Sequence, residues 1–271
     1  MKKEKAGRKS GHETKPIKKH INKLVIRFFV FIFWIFIWEA ACRIINQELF
    51  LPSPFSVLLS IIDLAAKQVF WLSILNSFIR IFIGFLLGIV SGAVMAVISY
   101  KSKLIYELIS PLMKIIKSTP VASFIILALV WISSKNLSVL IAFLMVLPIS
   151  FSNLLYGLKS TDIKLLEMAK VFRLSGWKRI KAIYLPALLP FLKSAVSVGL
   201  GFSFKSGIAA EVIGRPANSI GLNLYEAKLY LMIKELFAWT TVIIIISVLF
   251  EKIVVKLIGN YGHDKKYANK P

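Results

Sequence analysis

Among the charged residues inside long apolar runs, the side chains best placed to do chemistry are Arg80, Lys205 and Glu211. A charge within an apolar segment is costly, so it tends to face a water-filled route or a partner group. Arg80 and Lys205 could give such a route a positive potential suited to an anion. Two plainer readings stay open: Arg80 snorkels to an interface, and Lys205 snorkels or pairs with Glu211. The chemistry on offer is electrostatic rather than covalent. His12, His20 and His263 all lie in polar tails, and Cys42 is the lone cysteine. No HExxH, Cys/His cluster or GxSxG occurs, nor a Gly-rich loop ending in Gly-Lys-Ser/Thr. No catalytic constellation, metal or cofactor is expected.

The elements that carry these charges are long and apolar. Hydrophobic residues make up 57% of the 271 residues and charged residues 18%, with mean hydropathy +0.75. A soluble domain of that composition would expose large apolar patches. The expectation is an all-α, polytopic membrane protein with about six transmembrane helices. The net charge of +22 sits in tails and loops between apolar runs, which disfavours nucleic acid as a partner.

In chain order, residues 1–23 read as a disordered basic tail hugging anionic lipid. Residues 24–73 hold a first span, Leu24–Cys42, and an outer connection broken at Leu51-Pro52-Ser53-Pro54. The first span is read as an uncleaved anchor in preference to a signal peptide or a lipoprotein signal ending in Cys42. Glu39 and Arg43, four residues apart, should pair. Residues 74–258 hold five further spans: about 74–99, 104–134 with a kink at Pro120, 136–158, 187–213 and 234–255. In the second span Gly84, Gly88, Gly92 and Ala96 recur every four residues, a stripe on which another helix can pack closely. The fifth is crowded with small residues and should line a dimer axis or the route itself. Residues 259–271 form a second basic tail. With the N-terminus inside, cytoplasmic segments carry 24 Lys/Arg against 7 outside, or 14 against 7 without the N-terminal tail. Both termini are therefore expected in the cytoplasm.

The longest polar interruption runs from Gly157 to Pro190. Its apolar residues, Ile163, Leu166, Ala169 and Val171, then Trp177, Ile180 and Ile183, recur at helical spacing. This predicts two short amphipathic helices joined near Ser175-Gly176, with Pro186 in the first turn of the next span. A basic amphipathic loop lying on lipid is the bland alternative.

This loop, 159–185, resembles the coupling loop of binding-protein-dependent ABC import permeases. That pattern opens Glu-Ala-Ala, has Gly six residues after the Glu, and closes Leu-Pro. Glu167, Ala169, Leu185 and Pro186 match; Met168 and Arg173 depart from it, so Gly176 is a candidate to take over the turn. Leu51-Pro52-Ser53-Pro54, Ser77, Arg80, Gly84-Phe85, the Ala210–Gly214 and Ser219–Leu222 segments, and Glu235-Leu236-Phe237-Ala238 resemble the nitrate/sulfonate/taurine branch. The resemblance implies a permease subunit that hydrolyses no ATP itself. It implies a homodimer, a separate ATPase subunit and an extracytoplasmic substrate-binding protein as partners. It places ATPase coupling on Asp162, Leu166, Glu167, Met168, Ala169, Lys170, Arg173 and Gly176. Glu167 and Lys170 would make polar contacts there, and Ala169 would permit close approach. A secondary carrier, or a structural membrane protein without an ATPase, is the competing reading.

Overall fold

The computed structural model describes residues 15–267, and every regular element among them is helical. The order is α1 (Lys15–Ile45), α2 (Pro54–Ala65), α3 (Gln68–Lys101), α4 (Lys103–Ser118), α5 (Val121–Ala128), α6 (Ser134–Lys159), α7 (Ile163–Val171) and α8 (Gly176–Arg179). A π-helical turn (Ile180–Tyr184) joins α8 to α9 (Leu185–Gly214), and α10 (Ile220–Leu229) and α11 (Ile233–Tyr267) close the chain. Among the described residues four helices are long and apolar enough to cross a membrane, or five if the bent pair α4–α5 is one span. The expected sixth span falls on α11, which carries an uncharged run at 236–250.

The glycine stripe sets the centre. Packing between helices in lipid gains little from water exclusion, so it depends on close backbone approach. A Cβ added at Gly84 would lie 2.3 Å from the Val139 carbonyl oxygen on α6, and one at Gly92 would lie 2.6 Å from the Ser150 Cβ. Only hydrogen fits there. Across the same seam Ser150 Oγ donates to the Ile89 carbonyl at 2.9 Å. α9 packs on both helices. Ile81, Phe204, Ile208, Trp239 and Val242 then join α3, α9 and α11 in one buried cluster, which Val57 and Leu64 of α2 complete.

The prolines break the chain where expected, but more sharply. Ser53 caps α2, its hydroxyl accepting from the Ser56 N–H at 3.1 Å. The connection to α3 is thus mostly a helix. Before Pro120, Thr119 is extended (φ −79, ψ 131), because the proline ring disfavours helical backbone at the residue before it. α4 and α5 consequently meet at 101°, and the single kinked span expected over 104–134 is two helices.

Two further expectations change. α1 begins at Lys15, inside the stretch expected to be a disordered tail; residues 1–14 lie outside the described residues, as do 268–271 of the closing tail. Pro186 stands in the first turn of α9 as expected, but α9 is continuous with α8. Helix runs on from Gly176 to Gly214, and the chain widens to a π turn just before the proline. The Leu185 N–H reaches back five residues to the Ile180 carbonyl, a local widening that lets a residue without an N–H sit in a continuous helix.

α1 is tied down near its end. Phe28, Phe29, Phe31, Phe33, Trp34 and Phe36 are all exposed. Trp38 packs at a tilt against Phe237 with centroids 6.0 Å apart and donates to the Pro52 carbonyl at 3.1 Å. Cys42 Sγ donates to the Leu51 carbonyl at 3.2 Å. The predicted Glu39–Arg43 pair is present at 2.8 Å.

Candidate functional site

Asp162 opens the loop after α6. Its carboxylate accepts from the Lys164 N–H at 2.9 Å and caps α7, satisfying a donor that the first turn leaves orphaned. At its other end α7 closes in a left-handed turn. The Leu174 N–H bonds to the Ala169 carbonyl at 2.9 Å, and the Arg173 N–H to the Lys170 carbonyl at 3.0 Å. This pair of bonds is the Schellman arrangement, and its left-handed residue is Arg173, with φ 48°.

Arg173 therefore stands in the conformation that favours glycine, at the position where the resembled pattern has Gly. The takeover by Gly176 expected from the sequence does not occur. Gly176 has no positive φ and is the first residue of α8, after Ser175.

The faces of the loop also differ from the amphipathic reading. Ala169 is fully buried, at 0% exposure. It packs inside this chain and offers no surface for a partner to approach, which corrects its expected role. Leu166 is half-buried, and Glu167, Met168, Lys170 and Arg173 are exposed. Ile163, Val171 and Trp177, read as one side of a packed amphipathic pair, point outward, and so does Phe172. Val171 is 78% exposed, Phe172 71% and Trp177 73%. α7 is nine residues long, so one buried residue suffices to anchor it and the rest of its apolar side stays free. Large apolar side chains left exposed on one loop beside the exposed Glu167, Lys170 and Arg173 are the pattern of a protein-binding surface.

At the other end of α9 the structure brings together two of the three candidate charges. Arg80 Nη1 lies 3.4 Å from Glu211 Oε1, and Glu211 is fully buried. Ser77 Oγ donates to Glu211 Oε2 at 2.6 Å, and the Gly221 N–H donates to the same oxygen at 3.3 Å. Ser77 Oγ in turn accepts from the Ile220 N–H at 2.9 Å. Arg80 Nη2 donates to the Ala217 carbonyl at 3.4 Å. α3, α9 and the start of α10 are thus clamped on one carboxylate, whose desolvation is offset by a cation and several donors. Lys205 is exposed on another side of α9 and has no carboxylate within 4 Å among the described residues. Its pairing with Glu211, left open by the sequence, is excluded, since Arg80 holds that place.

A family profile described as binding-protein-dependent transport system inner membrane component matches residues 84–261, well over half of the chain. The chain belongs to that family. The match to this transport component runs from Gly84 through the loop and Glu211 into α11, and leaves α1 and α2 outside. Relatives include the putative aliphatic sulfonates transport permease protein SsuC of Bacillus subtilis (strain 168), 24% identical over 206 residues, covering 75% of this chain and 74% of that protein. The taurine transport system permease protein TauC of Escherichia coli (strain K12) is 24% identical over 220 residues, 79% of this chain and 80% of its own. The nitrate import permease protein NrtB of Synechocystis sp. (strain ATCC 27184 / PCC 6803 / Kazusa) is 22% identical over 231 residues, 82% of this chain and 83% of its own. This transport component is a multi-pass membrane protein and the permease part of an ATP-driven transport system.

Proposed function

We propose that the chain is a permease subunit that moves a small oxyanion inward, working as a homodimer with two ATPase subunits and an extracytoplasmic binding protein. The observation that carries the ATPase part is the group formed by Val171, Phe172 and Trp177, with Met168 beside it. These are large apolar residues left bare on a polar loop. Leaving such surface in water is unfavourable by about 25 cal/mol per Å², and a partner's cleft removes it. Glu167, Lys170 and Arg173 then supply the polar rim. Asp162, Ala169 and Gly176 act by shaping the loop. Both termini and this loop face the cytoplasm, as the Lys/Arg asymmetry supports.

The solute class rests on the relatives, which are named for aliphatic sulfonates, taurine and nitrate. All three carry oxygens bearing negative charge, and this chain has an uncompensated lysine, Lys205, on an open side of α9. At Gly201, one turn away, an added Cβ would meet nothing within 4 Å, so this face has room for a second copy or a solute.

The test is purification of tagged protein from its membranes in mild detergent, scored for a co-purifying ATPase and for ATP hydrolysis. Phe172→Asp with Trp177→Glu should abolish co-purification while leaving membrane insertion intact. Recovery of an equally active ATPase with that double variant would overturn the docking surface.

A further inference from the structure

α4 carries a second, unassigned polar feature. Glu107, Ser110, Lys114, Lys117 and Ser118 recur at close to helical spacing along one side, while Met113 and Ile116 are buried on the other, against Ala96, Leu147, Phe151 and Leu154. Such a stripe cannot face hydrocarbon cheaply. Near its end the Lys117 ammonium donates to Ser152 Oγ on α6 at 2.8 Å. No carboxylate lies within 4 Å of Lys117 among the described residues.

Ser152 is also part of the wall of an open hollow of about 450 Å³, lined by Ser152, Asn153, Tyr156, Pro190, Phe191 and Ser194. The Asn153 amide is turned back to the Ile149 carbonyl at 2.9 Å. Tyr156 packs edge-on against Phe191, centroids 5.6 Å apart. The hollow thus has an apolar wall, three hydroxyls and an adjacent cation with donors to spare, since an ammonium carries three and Ser152 takes one. Ser152 stands roughly 10 Å along α6 from Lys159, the last residue of that helix, at 1.5 Å per residue.

We propose that Lys117, with the hydroxyls of Ser152, Tyr156 and Ser194, binds the charged oxygens of the transported solute in the half of the membrane next to the coupling loop. The α4 stripe keeps the exit beyond it wet. The apolar wall of Phe191 and Pro190 receives the non-ionic part of an organic oxyanion. The site rests on the reading that the chain carries an oxyanion, but its test does not depend on ATP turnover.

The experiment uses the assembled complex in phosphatidylcholine vesicles, with Cys42→Ser as background and Ser194→Cys as reporter. Labelling rates are measured with an anionic methanethiosulfonate (ethylsulfonate) and its cationic trimethylammonium counterpart. A unit charge at hydrogen-bonding range in a partly wet cavity should make the anionic reagent react about fivefold faster relative to the cationic one. Lys117→Gln should abolish that preference and Lys117→Arg keep it. Millimolar taurine or nitrate should slow labelling with Lys117 and not with Gln. Asn153→Cys is the second reporter, should Ser194→Cys fail to assemble. Equal rates with and without Lys117, or no labelling at either reporter in an assembled complex, would overturn the site. Protection that appears only with phosphatidylglycerol in the vesicles would assign the hollow to lipid phosphate and overturn the solute assignment. A charge preference in a complex whose ATP hydrolysis ignores the loop variants would leave the site standing and remove the docking proposal alone.

Discussion

Replacing Arg173 by glycine should tighten the loop between α6 and α9. Arg173 holds φ 48°, and an L-residue in the left-handed region costs about 1–2 kcal/mol. Glycine removes that cost but brings more freedom to the unfolded loop, worth about 0.5–1 kcal/mol. The net gain is about 0.5–1 kcal/mol, or roughly a two- to fivefold increase in the ratio of formed to open turn. A β-branched residue goes the other way: Arg173→Ile should lose about 1 kcal/mol or more relative to arginine, and Arg173→Asn should stay near wild type. The reporter is the Leu174 amide, whose bond to the Ala169 carbonyl is 2.9 Å long and exists only while the turn is closed. Hydrogen exchange at Leu174 in the detergent-solubilised protein should slow about two- to fivefold in the glycine variant and speed up by about fivefold or more in the isoleucine variant. If the glycine and isoleucine variants exchange alike, the left-handed turn is not what holds the end of α7.

Three other outcomes follow from the packing. Gly84→Val places carbon against the Val139 carbonyl, where even a Cβ would sit 2.3 Å away; overpacking of this kind costs about 1–3 kcal/mol. It should lower the thermal unfolding midpoint, whereas Gly201→Ala, with open space beside it, should not. Glu211→Ala strands Arg80 and should cost about 3–5 kcal/mol; adding Arg80→Leu should restore part of the lost midpoint, because no unpaired charge then remains. Glu48 is held below the ordinary glutamate range by its hydrogen bond from Lys234 and then by the one from Ser56. A depressed carboxyl contributes stability above its ordinary value and loses it as pH falls through the lower folded value. The joint between the α1–α2 connection and the start of α11 should therefore weaken in acid. A melting curve whose acid dependence is unchanged by Lys234→Met would rule that out.

The helices themselves were legible because their signals are local. The small residues at 84, 88, 92 and 96 repeat every four positions whatever surrounds them, and that period alone states that another helix comes close. The breaks at Pro52–Pro54 and Pro120 were legible for the same reason, though the angle at Pro120 depends on what α5 packs against. The π turn was not readable, because Pro186 alone does not say whether the helix stops or widens. Arg173 misled: its residue type argues against a left-handed turn, and the backbone bonds from Leu174 and Arg173 impose one regardless. Arg80 and Glu211 each stood out as charges in apolar runs, but 131 positions separate them, and no local pattern pairs them. The exposure of Val171 and Trp177 was hidden because apolar residues at helical spacing read as a packed face, and α7 and α8 are too short to bury one.

Helix continues without a break from Gly176 to Gly214, 39 residues, or about 58 Å at 1.5 Å per residue. Its first residues stand among the exposed apolar group of the loop, and its last turn holds the carboxylate clamped by Ser77, Arg80 and Gly221. Mechanically it is a single rod. A torque applied at Trp177 meets two irregular places along this rod, the π turn at Ile180–Tyr184 and Pro190 inside α9, and the π turn, the nearer of them, is a place where compliance can be tuned. Stiffening it would transmit a small rotation at the loop to the Glu211 end of α9; softening it would let the loop turn while the Glu211 clamp stays still.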